Sequence, residues 1–512
     1  MRLNTDPAAQ QPAEKCVDIV FVVSPTNAQS VYMPFYFLYL AGFLEKHGFS
    51  AEILNPHHKA AEDNVAEILD WIVAKKPKFV GLAAFVTDFD AVTELAARIK
   101  KVSSATIIAG NAHPSITPED FLFEHSPFDI VVRGEGENTV KHLLEAYQKD
   151  ADNGSIPGIA YWSGGTVKIT RNRELMGLAE CGMPAYHKID MGWYRRPTKY
   201  LIRRLATVGA VIYTGRGCPF NCSFCASNSV WQANDATSTV PRVRKRPLRQ
   251  VIDELRILQN TYKFDFFYIL DDTFGIRETD ISDFCRAYRD SGLKMLWAAE
   301  TRVNCIKNDD IVKLLKDSGC IQLDFGVESG SPRLLKLINK ATVVEQTRLA
   351  FELCRRHGLR TFANILLNLP TENEEDLALT EKLLAEIKPT YTSIGVTQPY
   401  PGTDIYKALG KPLLKQDYAK LSRLFPAEEY RLCGHKLALE KLLFSWLLKY
   451  GIVSIFERSL FSADRKYWKM LFSSEHRPAY VYYLLKDILL TPLHYLIHLK
   501  LYLRAWGNKA NI

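Results

Sequence analysis

The stretch GRGCPFNCSFCAS, residues 215–227, spaces three cysteines as C-x3-C-x2-C: Cys218, Cys222 and Cys225. It follows directly on the apolar run GAVIYT, which reads as a strand. Close clustering on a loop bearing glycine and proline suits metal ligation and suits core packing poorly. A zinc site would want a fourth Cys or His close by, and the nearest cysteine downstream, Cys285, lies in a segment of helical period. Three thiolates instead satisfy three irons of a 4Fe-4S cluster and leave the fourth iron open to a small molecule.

On the carboxyl side of this loop the same strand-then-helix alternation continues. The apolar runs GAVIYT, FDFFYIL, KMLWAAE, CIQLDFG, RTFANILL and YTSIGVTQP are separated by segments of helical period at 248–262, 279–290, 309–318, 343–357 and 374–387. Six β/α units over 206–410 predict a parallel, partial (β/α)6 barrel, with its active site at the carboxyl ends of the strands. Those ends carry DDTF (271–274), ETR (300–302), GVESGS (326–331) and NLP (368–370). Gly326 lets backbone approach a ligand closely, Glu328 can accept from a ligand hydroxyl or amino group, and Arg302 can pair with a carboxylate. Asp271 and Asp272 read equally well as turn or capping residues and as ligand contacts.

On the amino side, residues 17–150 give five short runs (VDIVFVVS, AEILN, FVGLAAF, ATIIAG, FDIVVRGEGE) between amphipathic segments, a doubly wound α/β domain. Ligands in such sheets sit beyond the carboxyl strand ends, here Ser24 to Asn27, Phe85 to Asp88, Gly110 to His113 and Gly134 to Asn138. Residues 1–16 read as a disordered tail, and 151–205 as a linker packing on both domains, with one hairpin in GIAYWSGGTVKIT. Residues 411–512 form a helical region whose runs 437–450 and 480–503 are rich in Leu, Tyr, Trp, His and Lys, Pro492 interrupting the second. This second run reads as a helical cap on the barrel or as an interfacial helix.

At 512 residues the chain exceeds one hydrophobic core, and 47% apolar with 24% charged residues is a globular composition. The net charge of +8 is spread along the chain, and its densest basic run, 242–249, has no interleaved aromatics, so no nucleic-acid partner is expected. No signal sequence or long apolar span appears, which predicts a cytoplasmic protein. Cys16, Cys181, Cys285, Cys305, Cys320, Cys354 and Cys433 show no ligand-like grouping and are expected as buried small hydrophobes.

The cysteine triplet, Phe224 before its third member, and its place after the first barrel strand resemble the radical S-adenosylmethionine superfamily. The strand-end motifs extend that resemblance. It implies a 4Fe-4S cluster on Cys218, Cys222 and Cys225 whose open iron chelates S-adenosylmethionine and yields a 5'-deoxyadenosyl radical. It also implies cofactor contacts from Phe224, Glu300, Arg302, Gly326, Glu328 and Ser329. The amino-terminal domain is similar to the cobalamin-binding domain that precedes many such cores, on MPFYFLYLAGFLEKHGFSAEILNP, GNAHPSITPEDF and VVRGEGENTV. Cobalamin contacts are then implied for Ser24, Thr26, Gly110, Asn111, Gly134 and Glu135. The D-x-H-x-x-G motif of an axial histidine is missing, so His113 is expected to close its loop and the cobalt to lack a histidine below it. Asn111 stands where relatives often have a second glycine; it tolerates positive φ, and its amide could contact the corrin. The bland alternative is a Rossmann-like domain that has lost its ligand. The resemblance spans 17 to about 405.

This pairing of domains resembles enzymes that methylate unactivated carbon or phosphorus centres through methylcobalamin, here expected to act on carbon. The aromatic, basic tail favours a large apolar substrate such as a tetrapyrrole, polyprenoid or hopanoid lipid over a small sugar or amino acid. An electron donor such as flavodoxin or ferredoxin is implied, and the tail suggests peripheral membrane contact. The rival is an oxygen-independent cyclase or oxidative tailoring enzyme like the anaerobic magnesium-protoporphyrin monomethyl ester cyclase. A non-catalytic cobalamin or redox sensor would show a degraded cysteine motif or an output domain, and neither is visible.

Overall fold

In the amino-terminal half, strands covered on both faces need apolar side chains at successive positions, and all four residues of β1 (Ile19–Val22) are buried. A computed structural model describes residues 17–24, 33–56, 61–199, 201–202, 205–227, 229–230, 242–410, 413, 415–421, 430–452, 465–486, 496 and 500. β1 pairs in parallel with β2 (Ala51–Leu54) and β3 (Phe79–Ala83), followed outward by β4 (Thr106–Gly110) and β5 (Ile130–Val132). Phe21 and Ile108 face the helices Phe35–Lys46 and Glu137–Gln148, whereas Val20, Val22 and Ile107 face Ala61–Lys75 and Phe89–Val102.

The hairpin expected in the linker is present, but it belongs to this sheet. β6 (Ile159–Ser163) pairs antiparallel with β5, and β7 (Thr166–Ile169) with β6, giving the order β2-β1-β3-β4-β5-β6-β7. The domain therefore runs past residue 150, because the free edge of β5 is satisfied by the hairpin. The rest of the segment bridges the two halves: Ala185 N donates to Leu38 O on one side, and Tyr186 Oη donates to Glu254 on the other.

The second sheet is parallel, in the order β8 (Gly209–Ile212), β11 (Phe266–Ile269), β12 (Leu296–Thr301), β13 (Cys320–Glu328), β14 (Arg360–Leu367), β15 (Tyr391–Val396). A short ribbon of β9 (Gly215–Arg216) and β10 (Arg244–Lys245) lies beside its first strand. Along β13, Leu323, Phe325 and Val327 are buried in the core while Gln322, Asp324, Gly326 and Glu328 take the alternate face. The register shifts between Gly326 and Glu328, and Glu328 has φ +65°, a bulge at the strand end that re-aims its carboxylate.

The carboxyl-terminal helices close the opposite end of the barrel. Tyr467, on the helix Arg465–Ser473, donates to Ala206 O, and Tyr480 Oη accepts from Val208 N, just before β8 begins. Of the run 480–503, only 480–486, 496 and 500 are described, and Pro492 lies outside the described residues. Among the described residues no helix is long and apolar enough to cross a membrane.

Candidate active site between the two sheets

The carboxyl ends of both sheets open on one cavity of about 450 Å³. Gly81, Ala83, Gly110, Asn111 and Gly134 line it from the amino-terminal sheet, and Gly215, Leu270, Asp271, Asp272 and Glu300 from the barrel. Phe35, Phe37 and Leu40 wall it on one side and Val140 on another, so it extends down the sheet face between two helices.

Both aspartates of DDTF organise the cysteine loop. Buried Asp271 accepts from Thr214 N at 2.6 Å, Thr214 Oγ1 at 2.6 Å and Gly215 N at 3.0 Å. Asp272 accepts from Gly217 N at 2.8 Å and Ser227 Oγ at 3.1 Å. Cys222 is buried, whereas Cys218 and Cys225 are half-buried, and all three are free thiols. Cys218 Sγ lies 3.5 Å from Thr273 Oγ1, and Arg302 Nη1 lies 3.6 Å from Cys222 Sγ. Burial pushes the Cys222 thiol up, with Lys340 and Arg302 pulling the other way. Among the described residues the side chains form no ready-made cluster of three or more metal ligands.

Around this loop, Phe224 packs on Leu334, Ile338 and Leu369. The Arg302 guanidinium stacks 3.7 Å from the Phe220 ring centre and also donates to Lys340 O. Glu328 accepts from Lys340 Nζ at 2.6 Å in a buried ion pair, and a Cβ at Gly326 would lie 2.5 Å from Glu328 Oε1. Gly326 thus makes room for the pair. Ser329 Oγ faces Thr380 and receives Ser331 N, a loop-bracing role. Lys340, whose ammonium sits 5.7 Å over Phe224, was not legible beforehand because it lies past the motif, on the turn after the helix Pro332–Leu337.

On the amino-terminal side Ser24 Oγ is buried and has no hydrogen-bond partner among the described residues. A Cβ at Gly110 would meet open space. Asn111 has φ +85°, and its side chain caps the following turn by accepting from Ala112 N. His113 does close its loop: it is buried, pairs with Asp120 at 2.9 Å and packs on Phe89, Phe121 and Tyr418. Glu135 borders the cavity, and both its oxygens are also taken by neighbouring donors. Its Oε1 accepts from Arg216 and Arg244, and its Oε2 from Arg244 and Met176 N. Burial opposes its ionisation, yet the two guanidiniums hold its carboxyl below the usual range. Thr26 lies outside the described residues.

Glu300 is the distinctive titrating group. Its carboxyl faces the cavity, in register with Asp324 on the next strand. Asp324 is held by Tyr268 Oη at 2.7 Å and Gln322 Nε2 at 2.7 Å. Glu300 is recessed at the cavity floor yet exposed to the open cavity. That recess, then the charges of Asp324, Asp272 and Glu328, push its carboxyl up to about 7, with Tyr268 partly offsetting this and solvent in the cavity moderating it. The folded chain keeps a proton that the unfolded chain gives up above about 4.5. The stability drawn from it is present in full below that pH and gone once pH has risen through about 7. Thermal melts across this range are therefore expected to show wild type losing ground relative to Glu300→Gln as pH rises. A constant gap between the two would contradict the assignment.

The donor sets fit the groups that the sequence implies. Three free thiols on one braced loop, with Arg302 and Lys340 beside them, suit an anionic thiolate cluster and a carboxylate-bearing ligand. Open space at Gly110, the orphaned Ser24 hydroxyl and the aromatic wall suit a large, partly apolar cofactor at the amino-terminal strand ends.

Comparison with known proteins agrees. Residues 212–384 match the model of the radical SAM superfamily, and 25–144 that of the B12 binding domain. An uncharacterized methyltransferase of Pyrococcus horikoshii is 30% identical over 72% of this chain and 77% of its own length. The anaerobic magnesium-protoporphyrin IX monomethyl ester cyclase of Rubrivivax gelatinosus is 28% identical over 77% of this chain and 69% of its own. In fold, the radical S-adenosylmethionine methyltransferase TsrM of Kitasatospora setae, solved with cobalamin and a 4Fe-4S cluster, superposes with a TM-score of 0.62 at 19% identity, over 77% of this chain and 75% of that one. With both domains matched in order, the chain belongs to the cobalamin-dependent radical S-adenosylmethionine enzymes, whose cofactors are a 4Fe-4S cluster, S-adenosylmethionine and cobalamin.

Proposed function

We propose that this enzyme transfers a methyl group to an unactivated carbon of a large, mainly apolar metabolite. The observation that carries the reading is a cavity bordered by Gly110, Asn111 and Gly134 on one side and Asp271, Asp272 and Glu300 on the other. A substrate there meets both strand-end faces at once. Bound there, the cofactors would supply hydrogen abstraction and methyl delivery, replacing C–H by C–CH3 and consuming two molecules of S-adenosylmethionine, which would leave as methionine with 5'-deoxyadenosine and as S-adenosylhomocysteine, and two electrons from a donor such as flavodoxin or ferredoxin.

The chain's own part is positioning and exclusion of water. Cys218, Cys222 and Cys225 would hold the cluster. Arg302 and Lys340 are the cations available to the methionine carboxylate, with Glu328 orienting Lys340. Phe35, Tyr36 and Leu40 wall the amino-terminal side, where cobalamin would lie, while from the barrel side Leu270 presents an apolar face to the substrate body and Glu300 offers a carboxyl to a polar substituent.

Anaerobic turnover of reconstituted protein with methyl-deuterated S-adenosylmethionine, reductant and a hydrophobic extract of the host tests this. Deuterated methyl in a product, together with 5'-deoxyadenosine and S-adenosylhomocysteine, is the expected result. The similarity to the Rubrivivax gelatinosus cyclase favours one second reading, oxidative ring closure without methyl transfer. An unlabelled product formed with 5'-deoxyadenosine would select it.

A further inference from the structure

Arg216 sits two residues before Cys218, yet its guanidinium reaches into the other domain. Nη1 donates to Glu135 at 3.0 Å and Nη2 to Glu137 at 2.6 Å. Nη2 also donates to the hydroxyl of Tyr213, and the guanidinium stacks 4.7 Å from that ring's centre. Arg244 lies directly opposite on β10 and takes both oxygens of Glu135 at 2.8 and 2.9 Å. Two adjacent arginines would repel, and two carboxylates, Glu135 from the loop after β5 and Glu137 from the first position of the following helix, neutralise them. Arg216, Arg244, Glu135 and Glu137 are all shielded from solvent, so each must keep its partner.

Each end of this cluster is tied stiffly to a cofactor loop. On the barrel side Gly217 has φ +91°, and a Cβ there would lie 2.1 Å from Arg242 O; a Cβ at Gly215 would lie 2.7 Å from Arg244 O. The chain between Arg216 and Cys218 is therefore pressed on β10 and its approach without slack, and Gly217 N is held by Asp272. On the other side Gly134, φ +72°, donates to Ser115 Oγ, which in turn donates to Asn111 O at 2.6 Å. The loops Gly110–Ser115 and Gly134–Glu137 thus move with the carboxylates. Hydrogen bonds to ionised partners are short and directional, so such a clamp fixes separation as well as affinity.

From this we infer that Arg216 is a positioning residue that sets the spacing between the cobalamin-side loop and the cluster-bearing cysteine loop. Arg216 borders the cavity, but its guanidinium is taken up by Glu135, Glu137 and Tyr213, so its role is to hold the two loops. The inference rests on the family reading that each loop holds its cofactor, and on methyl transfer only for one of its readouts.

The test uses the holoprotein with cobalamin and cluster, in wild type, Arg216→Lys, Arg216→Met and Glu137→Gln. Pulsed EPR between paramagnetic cobalt and the reduced cluster reads the spacing directly. Wild type should give a narrow distance distribution, and Arg216→Met and Glu137→Gln a broadened or shifted one at unchanged cobalamin and iron content. Arg216→Lys should recover part of the wild-type width. S-adenosylhomocysteine formation, which needs both loops, should fall about tenfold or more, while substrate-free 5'-deoxyadenosine formation, which needs the cysteine loop alone, should hold. Glu137→Gln leaves the cysteine loop's own chain intact and carries the test if Arg216→Met loses its cluster. An unchanged distance distribution in Glu137→Gln overturns the inference, as does an equal fall in both products. A wild type that makes no S-adenosylhomocysteine speaks against methyl transfer and leaves the distance measurement to decide the clamp.

Discussion

Cys222→Ala is expected to abolish cluster assembly, with iron and sulfide content and reductive cleavage of S-adenosylmethionine both falling to background. The reason lies in what surrounds this thiol. Of the three it is the buried one, with Arg302 Nη1 at 3.6 Å and Lys340 close enough to pull on its ionisation. Removing the sulfur deletes one of three iron ligands and leaves the Arg302 guanidinium, a group that cannot ligate iron, beside the gap. Cys285→Ala is the matched control. That thiol is buried in the core beneath the barrel and pushed up to about 12 by burial, which makes it inert. Its loss should cost about 1 kcal/mol of stability and leave iron content at the wild-type level. Iron loss in Cys285→Ala, or retention of a redox-active cluster in Cys222→Ala, would contradict the ligand assignment.

Much of this architecture was legible in the sequence because strands buried on both faces write themselves as apolar runs. IVFV, FVGLA and TIIAG each sit where a run predicted a strand. The strand-end rule then located the cavity, since Gly110, Asn111, Gly134 and Glu300 all border it. The misplaced edge of the first domain has a plain cause. The pattern of β6 and β7 marks a hairpin, and nothing in a hairpin's own residues says which sheet edge it will join. Roles inside the site were less legible than places. Glu135 reads as a ligand contact because it follows β5, and it does border the cavity, but that its oxygens also pair with Arg216 and Arg244, more than eighty residues away in sequence, is invisible locally. A long-range ion pair leaves no periodicity and no local motif. Lys340 and Asp324 were hidden for the same reason: a lone lysine on a turn and a lone aspartate in a strand acquire meaning only from Glu328, Glu300 and Tyr268 across the fold.

Glu254→Ala should be the most destabilising substitution outside the cofactor loops, and the cause is an inter-domain charge with no access to water. Glu254 and Arg246 have fully buried side chains 2.7 Å apart, in ion-pair contact though off the hydrogen-bonding axis. Glu254 Oε1 accepts from Tyr39 Oη at 2.7 Å, on a helix of the amino-terminal domain, and from Tyr186 Oη at 2.6 Å in the connecting segment. Arg246 in turn donates to Tyr213 O and to Tyr39. One carboxylate therefore ties three parts of the chain together. Its removal strands a guanidinium and two hydroxyls in the interior, for a loss of about 3–5 kcal/mol, read by urea denaturation of the apoprotein. Because the contact spans domains, the single cooperative transition should also broaden or split. Charge and packing can be told apart with the double variant Arg246→Met/Glu254→Leu. Taking out both charges should restore part of the loss, leaving about 1–3 kcal/mol for tyrosine hydroxyls that still lack an acceptor. A double variant no more stable than Glu254→Ala would mean that packing volume, and not the stranded charge, carries the junction between the two domains.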